Sequence, residues 1–474
     1  SINITQNNER ALEGLELNAK ERFLSRNFYA LGLILWLFNR PLETVERWAT
    51  DKFSRNPVVL EANLRALRAG NAFAETTELF HQRYEVAPAE VAPGTYRHIS
   101  GNEATALGLV AASQLADIPI FYASYPITPA SDVLHELAKH RNFGVKTMQA
   151  EDEMAAVCAA LGSSYAGSLG ITGTSGPGLA LKSEAINLAI MTELPLVVLD
   201  IQRAGPSTGM PTKTEQSDLL QAMFGRNGES PLPIIAARSP GDCFEVAQEA
   251  WRLATRFMMP VILLSDGYIA NGSEPWLIPA VEDLPEIPVE HPGPATNGHS
   301  FMPYQRNERL ARPWALPGTA GLMHRVGGLE KEDVTGNVSY DPDNHQHMTN
   351  LRLQRVASIA DDIPVQEVEG PSTGKLLVLS WGGTYGACTT AVRRCQADSL
   401  SVAHAHLRYL NPFPRNLGAL LSGYDEVLVP ELNMGQLRLL VQARYVRELI
   451  GLNKVKGKPF TVSEIEDKIR QLVG

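Results

Sequence analysis

The stretch Leu194-Pro-Leu-Val-Val-Leu-Asp-Ile201 decides the fold class of this 474-residue chain. It is an almost unbroken apolar run, without the alternation of apolar and polar residues that marks a strand with one face in water. Strands of this kind occur in parallel sheets whose two faces are both covered by helices. Similar runs lie on either side of it in the sequence, with helical patterns between them. We therefore predict an α/β fold built on a parallel sheet.

Composition shifts divide the chain into five predicted segments. Residues 1–85 carry apolar side chains at helical spacing, and residues 86–96 form a linker with two prolines and a glycine. Residues 97–275 contain the predicted sheet, and residues 276–370 form an irregular connecting segment rich in proline, glycine and histidine. Residues 371–474 form a second, smaller α/β domain.

Each segment has its own predicted elements. The N-terminal helices are Glu21–Arg40, Leu42–Lys52 and Val58–Ala72. The strands of the main sheet are Ile118–Ala123, Leu169–Thr172, Leu194–Ile201, Leu232–Ala237 and Pro260–Leu264. Its helices are Ser131–Arg141 (with Ser131 as the N-cap), Leu179–Thr192 and Cys243–Phe257. The last domain has strands Leu376–Ser380, Ser401–His406 and Glu426–Val429, and helices Tyr385–Ala397 and Gly435–Ile450.

Composition excludes several functional classes. The chain has 42 basic and 52 acidic side chains, and this net charge of −10 disfavours nucleic acid as a partner. The longest apolar run, Phe28–Phe38, is shorter than the roughly 20 residues that span a membrane, and no cleavable signal opens the chain. Four cysteines without a C-x-x-C pair predict no metal bound by this chain and a cytoplasmic location. A metal cluster that accepts electrons would therefore lie on a partner.

Four stretches follow predicted strands of the main sheet, where open parallel sheets bind their ligands. The first is Tyr125-Pro-Ile-Thr-Pro-Ala-Ser131, in which two prolines stiffen a loop around Thr128. A threonine hydroxyl near a helix N-terminus suits a small carboxylate, but the same pattern is typical of a rigid turn. The second is Gln149-Ala-Glu-Asp-Glu-Met154. This acidic stretch has two interpretations. Its carboxylates lie at a helix N-terminus and complement the helix dipole, or one of them is buried and transfers protons.

The third and fourth stretches also permit two interpretations. Gly173-Thr-Ser-Gly-Pro-Gly178 matches neither a Walker A loop, nor G-x-G-x-x-G, nor G-x-S-x-G, so it indicates an anion cradle or a set of tight turns. Gln202–Thr212 places Arg203 at the end of a strand. A guanidinium at that point binds a carboxylate ligand or forms an internal salt bridge.

Two further patterns do not indicate sites. The stretch Gly370-Pro-Ser-Thr-Gly-Lys375 has the wrong spacing for a phosphate loop and precedes a strand. The histidine pairs His404 with His406 and His345 with His347 lack a third metal ligand, so we expect hydrogen-bonded or solvated side chains.

Taken in order, these motifs resemble the α subunit of the 2-oxoacid:ferredoxin oxidoreductases, most closely the 2-oxoglutarate type. The resemblance covers residues 97–474 and extends through Pro313–Gly318, Gly336–Pro342, Leu407–Pro414 and Val429–Leu437. It implies a thiamine-diphosphate pyrimidine-binding domain at residues 97–275 and a transketolase C-terminal-like domain at the end. Residues 1–85 resemble the tail of the family's γ domain.

The resemblance also implies a shared cofactor site. Thiamine diphosphate would lie between this chain and a β subunit that carries Mg²⁺, the diphosphate site and a [4Fe-4S] cluster. In this chain the only Asp-Gly followed by an asparagine is Asp266-Gly267 with Asn271, which is too closely spaced for the β-type motif. Glu151 matches the carboxylate that hydrogen-bonds N1′ of the aminopyrimidine, and Tyr125 and Pro126 match cofactor contacts.

The resemblance also implies which residues bind the substrate. Thr128 and Arg203 match the groups that hold the 1-carboxylate and 2-oxo group, and we add Thr174 and Ser175 to the substrate-binding set. A 2-oxoglutarate enzyme needs a cation for the distal carboxylate, for which Lys213 is a candidate.

The implied reaction is oxidative decarboxylation of 2-oxoglutarate with coenzyme A to succinyl-CoA and CO₂, or its reverse, in an (αβ)₂ assembly with ferredoxin as electron partner. Pyruvate or branched-chain 2-oxoacids are alternative substrates. A noncatalytic structural subunit is an alternative of another class. The missing G-x-G-x-x-G argues against a dinucleotide-dependent dehydrogenase.

Overall fold

A computed structural model describes residues 2–77, 80, 82–295 and 300–474 of the chain. It contains two compact units, Ser1–Pro93 and Gly94–Gly474. In the described part of the chain, no helix combines the length and the apolar composition that crossing a bilayer requires.

The first unit is helical. Its helices are α1 (Ile4–Ala11), α2 (Ala19–Leu37), α3 (Glu43–Phe53) and α4 (Pro57–Thr76). Glycines let α2 and α4 approach closely, because a Cβ on Gly32 or on Gly70 would lie 2.0 Å from a carbonyl oxygen of the opposite helix. The three predicted helices are confirmed with small shifts of their ends. The sequence analysis missed α1, which is only eight residues long and largely polar.

The second unit contains thirteen strands among its described residues. They are β1 (Tyr96–Ser100), β2 (Ile120–Ser124), β3 (Lys146–Gln149), β4 (Leu169–Thr174), β5 (Leu196–Gln202), β6 (Ile234–Ala236), β7 (Pro260–Asp266), β8 (Ser273–Leu277), β9 (Gly374–Trp381), β10 (Val402–Leu407), β11 (Tyr409–Asn411), β12 (Tyr424–Glu431) and β13 (Ile450–Asn453).

The helices of this unit continue the numbering. They are α5 (Gly101–Ala116), α6 (Ser131–Leu137), α7 (Glu153–Tyr165), α8 (Gly176–Leu181), α9 (Ser183–Thr192), α10 (Leu219–Phe224), α11 (Asp242–Phe257), α12 (Gly267–Asn271), α13 (Pro342–Ser358), α14 (Tyr385–Ala397), α15 (Leu417–Ser422), α16 (Gln436–Tyr445) and α17 (Val462–Val473).

A seven-stranded sheet in the order β11-β6-β7-β5-β4-β2-β3 forms the centre of the second unit. Its strands are parallel except β11, which comes from the C-terminal part of the chain and pairs antiparallel with β6. Every residue of β4, β5 and β7 is buried. The prediction of an α/β fold on a parallel sheet, made from the apolar run at β5, is confirmed.

A second, four-stranded sheet follows the order β10-β9-β12-β13 and is parallel throughout. The loop after β5 joins the two sheets. Gln216 in that loop donates from its side chain to the carbonyl of Trp381 at 2.8 Å, and its backbone N–H donates to the carbonyl of Leu432 at 3.1 Å. A small antiparallel pair, β1 with β8, completes the unit.

Several sequence predictions are wrong in detail. The segment predicted to be irregular contains α13, which Asp341 caps by accepting from the N–H of Asn344, with Pro342 in its first turn. No helix was predicted here because the sequence is polar and rich in histidine. The buried residues of α13 include arginines, which do not give an apolar periodicity. Arg355 is 1% exposed and pairs with the buried Glu193.

Three helix ends also differ from prediction. Ser131 is the first residue of α6 and not its N-cap, since its hydroxyl accepts from the N–H of Ile127 at 2.8 Å instead. The predicted helix Leu179–Thr192 is two helices, α8 and α9, with Lys182 at the junction. The last predicted helix ends at Tyr445, and residues from Ile450 form β13 instead.

Candidate functional site

The four stretches singled out in the sequence lie side by side in the structure. They follow β2, β3, β4 and β5, which are neighbours in the sheet in the order β5-β4-β2-β3. Because these strands are parallel, the loops meet at one edge of the sheet.

A hydroxyl pair joins the loops after β2 and β4. The Tyr125 Oη and Thr174 Oγ1 atoms are 3.0 Å apart and both side chains are buried. Burial raises the pKa of Tyr125 above its ordinary range, so the phenol stays protonated. The structure therefore makes Tyr125 a fixed neutral hydroxyl at this edge.

Gly178 permits this pairing. A Cβ on Gly178 would lie 2.1 Å from Tyr125 Oη and 2.1 Å from Thr174 Oγ1, closer than any real contact. We expect Gly178→Ala to lower the thermal unfolding midpoint, because overpacking of this kind costs about 1–3 kcal/mol. Gly162→Ala in α7 is the matched control, since nothing lies within 4 Å of its added methyl. Equal midpoints for the two variants would contradict the packing role of Gly178.

Arg203 is a buried cation without a carboxylate partner. Its side chain is 8% exposed, and its Nη1 donates to the carbonyl oxygen of Thr128 at 2.7 Å. Its Nε has no hydrogen-bond partner, and no carboxylate of the described residues lies within 4.0 Å of the guanidinium. A buried charge without a partner is costly, so this geometry favours an anionic ligand.

The acidic stretch separates into three roles. Asp152 caps α7 by accepting from the N–H of Ala155 at 2.7 Å, and Glu153 is the first residue of that helix. Glu151 is exposed just beyond β3, and its carboxylate makes no hydrogen bond or ion pair with the described residues. Glu153 is half-buried and its charge acts on Tyr125 and Lys182, whereas Glu151 is the exposed acid that a ligand or partner can reach.

Two predicted substrate residues lie deeper than the others. Thr174 and Ser175 have no exposed surface, whereas Thr128 and Pro126 are exposed on the loop above. The hydroxyl of Thr174 is used by Tyr125. The structure therefore brings Thr128 to Arg203 and buries Thr174 and Ser175, of which Thr174 supports Tyr125 and Ser175 has a hydroxyl without a partner.

The sequence analysis missed a buried lysine. Lys182 has no exposed surface, and its Nζ donates to the carbonyl of Glu153 at 2.9 Å and to Thr172 Oγ1 at 3.1 Å. Burial lowers its pKa to about 8. It holds the start of α7 against β4, and its position at the end of an apolar helix was the only signal in the sequence.

The histidines are hydrogen-bonded or exposed, as expected, although the buried His406 Nε2 has no partner. Ser380 Oγ lies 2.7 Å from both His404 Nε2 and His406 Nδ1, and burial lowers the pKa of His404 to about 4. His345 and His347 are exposed and pair with Glu330 and Asp333. Among the residues that the structure describes, no three metal-ligating side chains come together.

Open parallel sheets bind ligands outside the carboxyl ends of their strands, and here that end carries an exposed carboxylate and an unpaired arginine. Comparison with known proteins agrees with this. Residues 113–340 match the family model of the pyruvate flavodoxin/ferredoxin oxidoreductase thiamine-diphosphate-binding domain.

Curated relatives extend the match to almost the whole chain. A 2-oxoglutarate oxidoreductase subunit KorA from Mycobacterium tuberculosis is 53% identical over 462 residues, which are 97% of this chain and 70% of the relative. A 2-oxoglutarate synthase subunit KorA from Methanothermobacter marburgensis is 30% identical over 78% of this chain and 97% of its own length.

A solved structure agrees in fold as well. The 2-oxoglutarate:ferredoxin oxidoreductase from Magnetococcus marinus, with 2-oxoglutarate, coenzyme A and succinyl-CoA bound, has a TM-score of 0.89 and 33% identity. The match covers 100% of this chain and 80% of that one. The chain is thus of the class of thiamine-diphosphate-binding oxidoreductase subunits. It belongs to the 2-oxoacid:ferredoxin oxidoreductase family, as an α subunit. The resemblance on which the sequence analysis relied is confirmed.

Proposed function

We propose that this chain is the α subunit of an enzyme that converts 2-oxoglutarate and coenzyme A to succinyl-CoA and CO₂, or runs the reverse reaction, with ferredoxin as electron partner. The unpaired buried guanidinium of Arg203 is the observation that carries the proposal, because the substrate is a carboxylate. The names of the relatives and the ligands bound to the Magnetococcus enzyme support the choice of 2-oxoglutarate.

The residues at the sheet edge fit the pyrimidine half of thiamine diphosphate. When bound, this cofactor supplies the nucleophilic carbon and the electron sink that decarboxylation of a 2-oxoacid requires. Glu151 would accept or donate the proton at N1′ of the ring, since its carboxylate is free of internal partners. Tyr125 and Pro126 would flank the cofactor from the neighbouring loop. Glu151 follows β3, the edge strand, so a partner can reach it.

Arg203 and Thr128 would hold the 1-carboxylate and the 2-oxo group. The guanidinium already donates one hydrogen bond to the backbone of Thr128, which fixes its direction and leaves its Nε free of protein partners. Thr174 would act behind them by fixing Tyr125, and the buried Ser175 hydroxyl, which has no partner within the protein, would remain free for a ligand. Charge leaves the carboxylate as CO₂ departs, so Arg203 contributes more to binding and orientation than to the transition state.

The remaining parts of the site would come from a β subunit in an (αβ)₂ assembly. That subunit would hold Mg²⁺, the diphosphate and the [4Fe-4S] cluster. The positions of the cysteines in this chain support a cluster on the β subunit, because Cys243, Cys388 and Cys395 are buried and Cys158 lies alone on the surface. Four thiolates for a cluster are therefore not gathered here.

Co-expression with the neighbouring β-like gene product tests the proposal. Reduction of ferredoxin or viologen is measured with 2-oxoglutarate, pyruvate and 2-oxoisovalerate, each with coenzyme A. We expect activity only in the complex, and the highest kcat/KM with 2-oxoglutarate. Equal activity of this chain by itself would point to another enzyme class, and no activity in the assembled complex would favour a structural subunit.

Lys213 is the candidate for the distal carboxylate. It is exposed, forms no ion pair with the described residues, and its carbonyl accepts from the N–H of Ala204, next to Arg203, at 2.9 Å. We expect Lys213→Ala to raise the KM for 2-oxoglutarate about tenfold, the value of one charge-assisted contact, and to leave the KM for pyruvate within about twofold. An equal change for both substrates would exclude Lys213 as the distal contact.

A further inference from the structure

Two buried carboxyl groups belong to β5 and to the loop after it, which also carries Arg203. Asp200 is in the middle of the sheet, at the end of β5, and is 0% exposed, while Asp218 precedes α10 and is 7% exposed. Both carboxylate oxygens of Asp200 and the Oδ2 of Asp218 have no hydrogen-bond partner. Among the described residues, neither side chain has a basic group within 4.0 Å. Two ionised carboxylates cannot be accommodated in such a site without a counter-ion.

Asp218 is held in place from two sides. Its backbone N–H donates to the Gln202 side chain at 3.2 Å. Its carboxyl group also lies against the glycine-rich loop, because a Cβ on Gly176 would be 2.5 Å from Asp218 Oδ1. Asp218 is therefore fixed between the loop after β4 and the loop that carries Arg203.

The charged groups that face this pair are few. Asp218 is acted on by the charges of Glu215 and Arg203, and Asp200 by the charge of Asp218. Burial, reinforced by Glu215, raises the pKa of Asp218 to about 7, although Arg203 opposes the shift. Burial, reinforced by Asp218, raises the pKa of Asp200 well above its usual range.

We propose that Asp218, backed by Asp200, is a positioning residue that, while it is protonated, leaves Arg203 without an internal counter-ion and so available to the carboxylate of the substrate. This inference rests on the proposed role of Arg203. It explains why a buried arginine has acids nearby and yet forms no salt bridge with them. The substrate binds most tightly while Asp218 is protonated.

The proposal sets a direction for the pH dependence. Below about pH 7, Asp218 is protonated and the charge of Arg203 is left for the substrate. As the pH rises through that value, Asp218 becomes negative and competes with the substrate for the guanidinium. The KM for the 2-oxoacid is then expected to rise about tenfold, the effect of one charge at roughly 10 Å in a protein interior. The kcat is expected to change less.

Asp218→Asn tests this in the assembled α–β complex, since asparagine has the shape of the protonated acid. KM and kcat for 2-oxoglutarate are measured across neutral pH for the wild type and the variant. We expect the variant to keep the low KM of the wild type at acid pH, within about twofold, and to lose the alkaline rise. A variant that shows the same alkaline rise, or a raised KM at every pH, would overturn the proposal.

Glu215→Gln is the second variant, and it keeps the proposal open to test if Asp218→Asn does not fold. Removing the Glu215 charge lowers the pKa of Asp218, so the rise in KM should begin at a lower pH but not disappear. An unmoved profile counts against the proposal.

Infrared difference spectroscopy gives a readout that does not depend on turnover. The wild type should show the carbonyl band of a protonated carboxyl group that titrates near neutral pH, and Asp218→Asn should lack it. The absence of this band in the wild type would contradict the inference while leaving the proposed function intact. A complex that accepts no 2-oxoacid would instead end the proposed function, and this inference with it.

Discussion

Glu151→Gln is expected to reduce turnover by about 10²–10⁴-fold in the assembled complex, the usual contribution of a positioned proton-transfer group. Glutamine keeps the size of the side chain but cannot exchange a proton with N1′ of the pyrimidine. The carboxylate is exposed and makes no contact with the described residues of the chain, so its loss should not disturb the fold. Steady-state ferredoxin reduction measures the effect, and the KM for the 2-oxoacid should stay within a fewfold of the wild type.

Asp152→Asn is the matched control for this prediction. It removes a negative charge from the adjacent residue, while asparagine still caps α7 as the aspartate does through the N–H of Ala155. We expect near-normal turnover and an unchanged melting temperature. If Asp152→Asn were as inactive as Glu151→Gln, the local charge and not the specific carboxylate would be responsible. Near-normal turnover of Glu151→Gln would remove Glu151 from the mechanism.

Arg203→Ala is expected to raise the KM for the 2-oxoacid by about 10- to 100-fold, because a hydrogen-bonded charge pair contributes roughly 1.5–3 kcal/mol. The kcat should fall much less, since the arginine binds a carboxylate whose charge departs during the reaction. Initial rates at a series of substrate concentrations separate the two constants. Arg203→Lys should lie between the wild type and Arg203→Ala, because lysine retains the charge but not the planar fork.

Arg415→Ala provides the control for arginine removal. Arg415 is 60% exposed and pairs with Asp361 at 3.0 Å, so its charge is already compensated on the surface. We expect its loss to leave the KM within about twofold. An unchanged KM in Arg203→Ala would show that the buried guanidinium is structural and does not bind the substrate.

Local sequence patterns accounted for most of the elements that position the site. Apolar runs of strand length predicted β2, β4, β5, β6 and β7, and the helix Tyr385–Ala397 begins and ends where predicted. The patterns did not predict several other elements, α5 and α17 among them, and they failed at α13 because burial there depends on ion pairs. Helix α13 has a polar sequence because Arg355 reaches Glu193, a residue about 160 positions earlier in the chain. No local pattern carries that information.

In the candidate site, too, some features could be predicted from the sequence and others only from the structure. The order of the motifs in the sequence led to the family and to Glu151, Thr128 and Arg203. The family resemblance selected Glu151, but the local pattern did not distinguish the three adjacent carboxylates, because they look alike until a helix begins and uses one of them as its cap. The structure assigns the cap to Asp152 and leaves Glu151 exposed.

The sequence by itself determined the parallel α/β class, the edge of the sheet where the loops meet, and the family, because each of these depends on local periodicity or on motifs in a fixed order. Only the tertiary structure decided that Arg203 has no counter-ion, that Thr174 is occupied by Tyr125, and that Asp200 and Asp218 are buried with carboxylate oxygens left unpaired. Such properties depend on burial and on distances between residues far apart in the chain. Charge and hydrogen bonding at a site are set by those distances, and a linear pattern does not contain them.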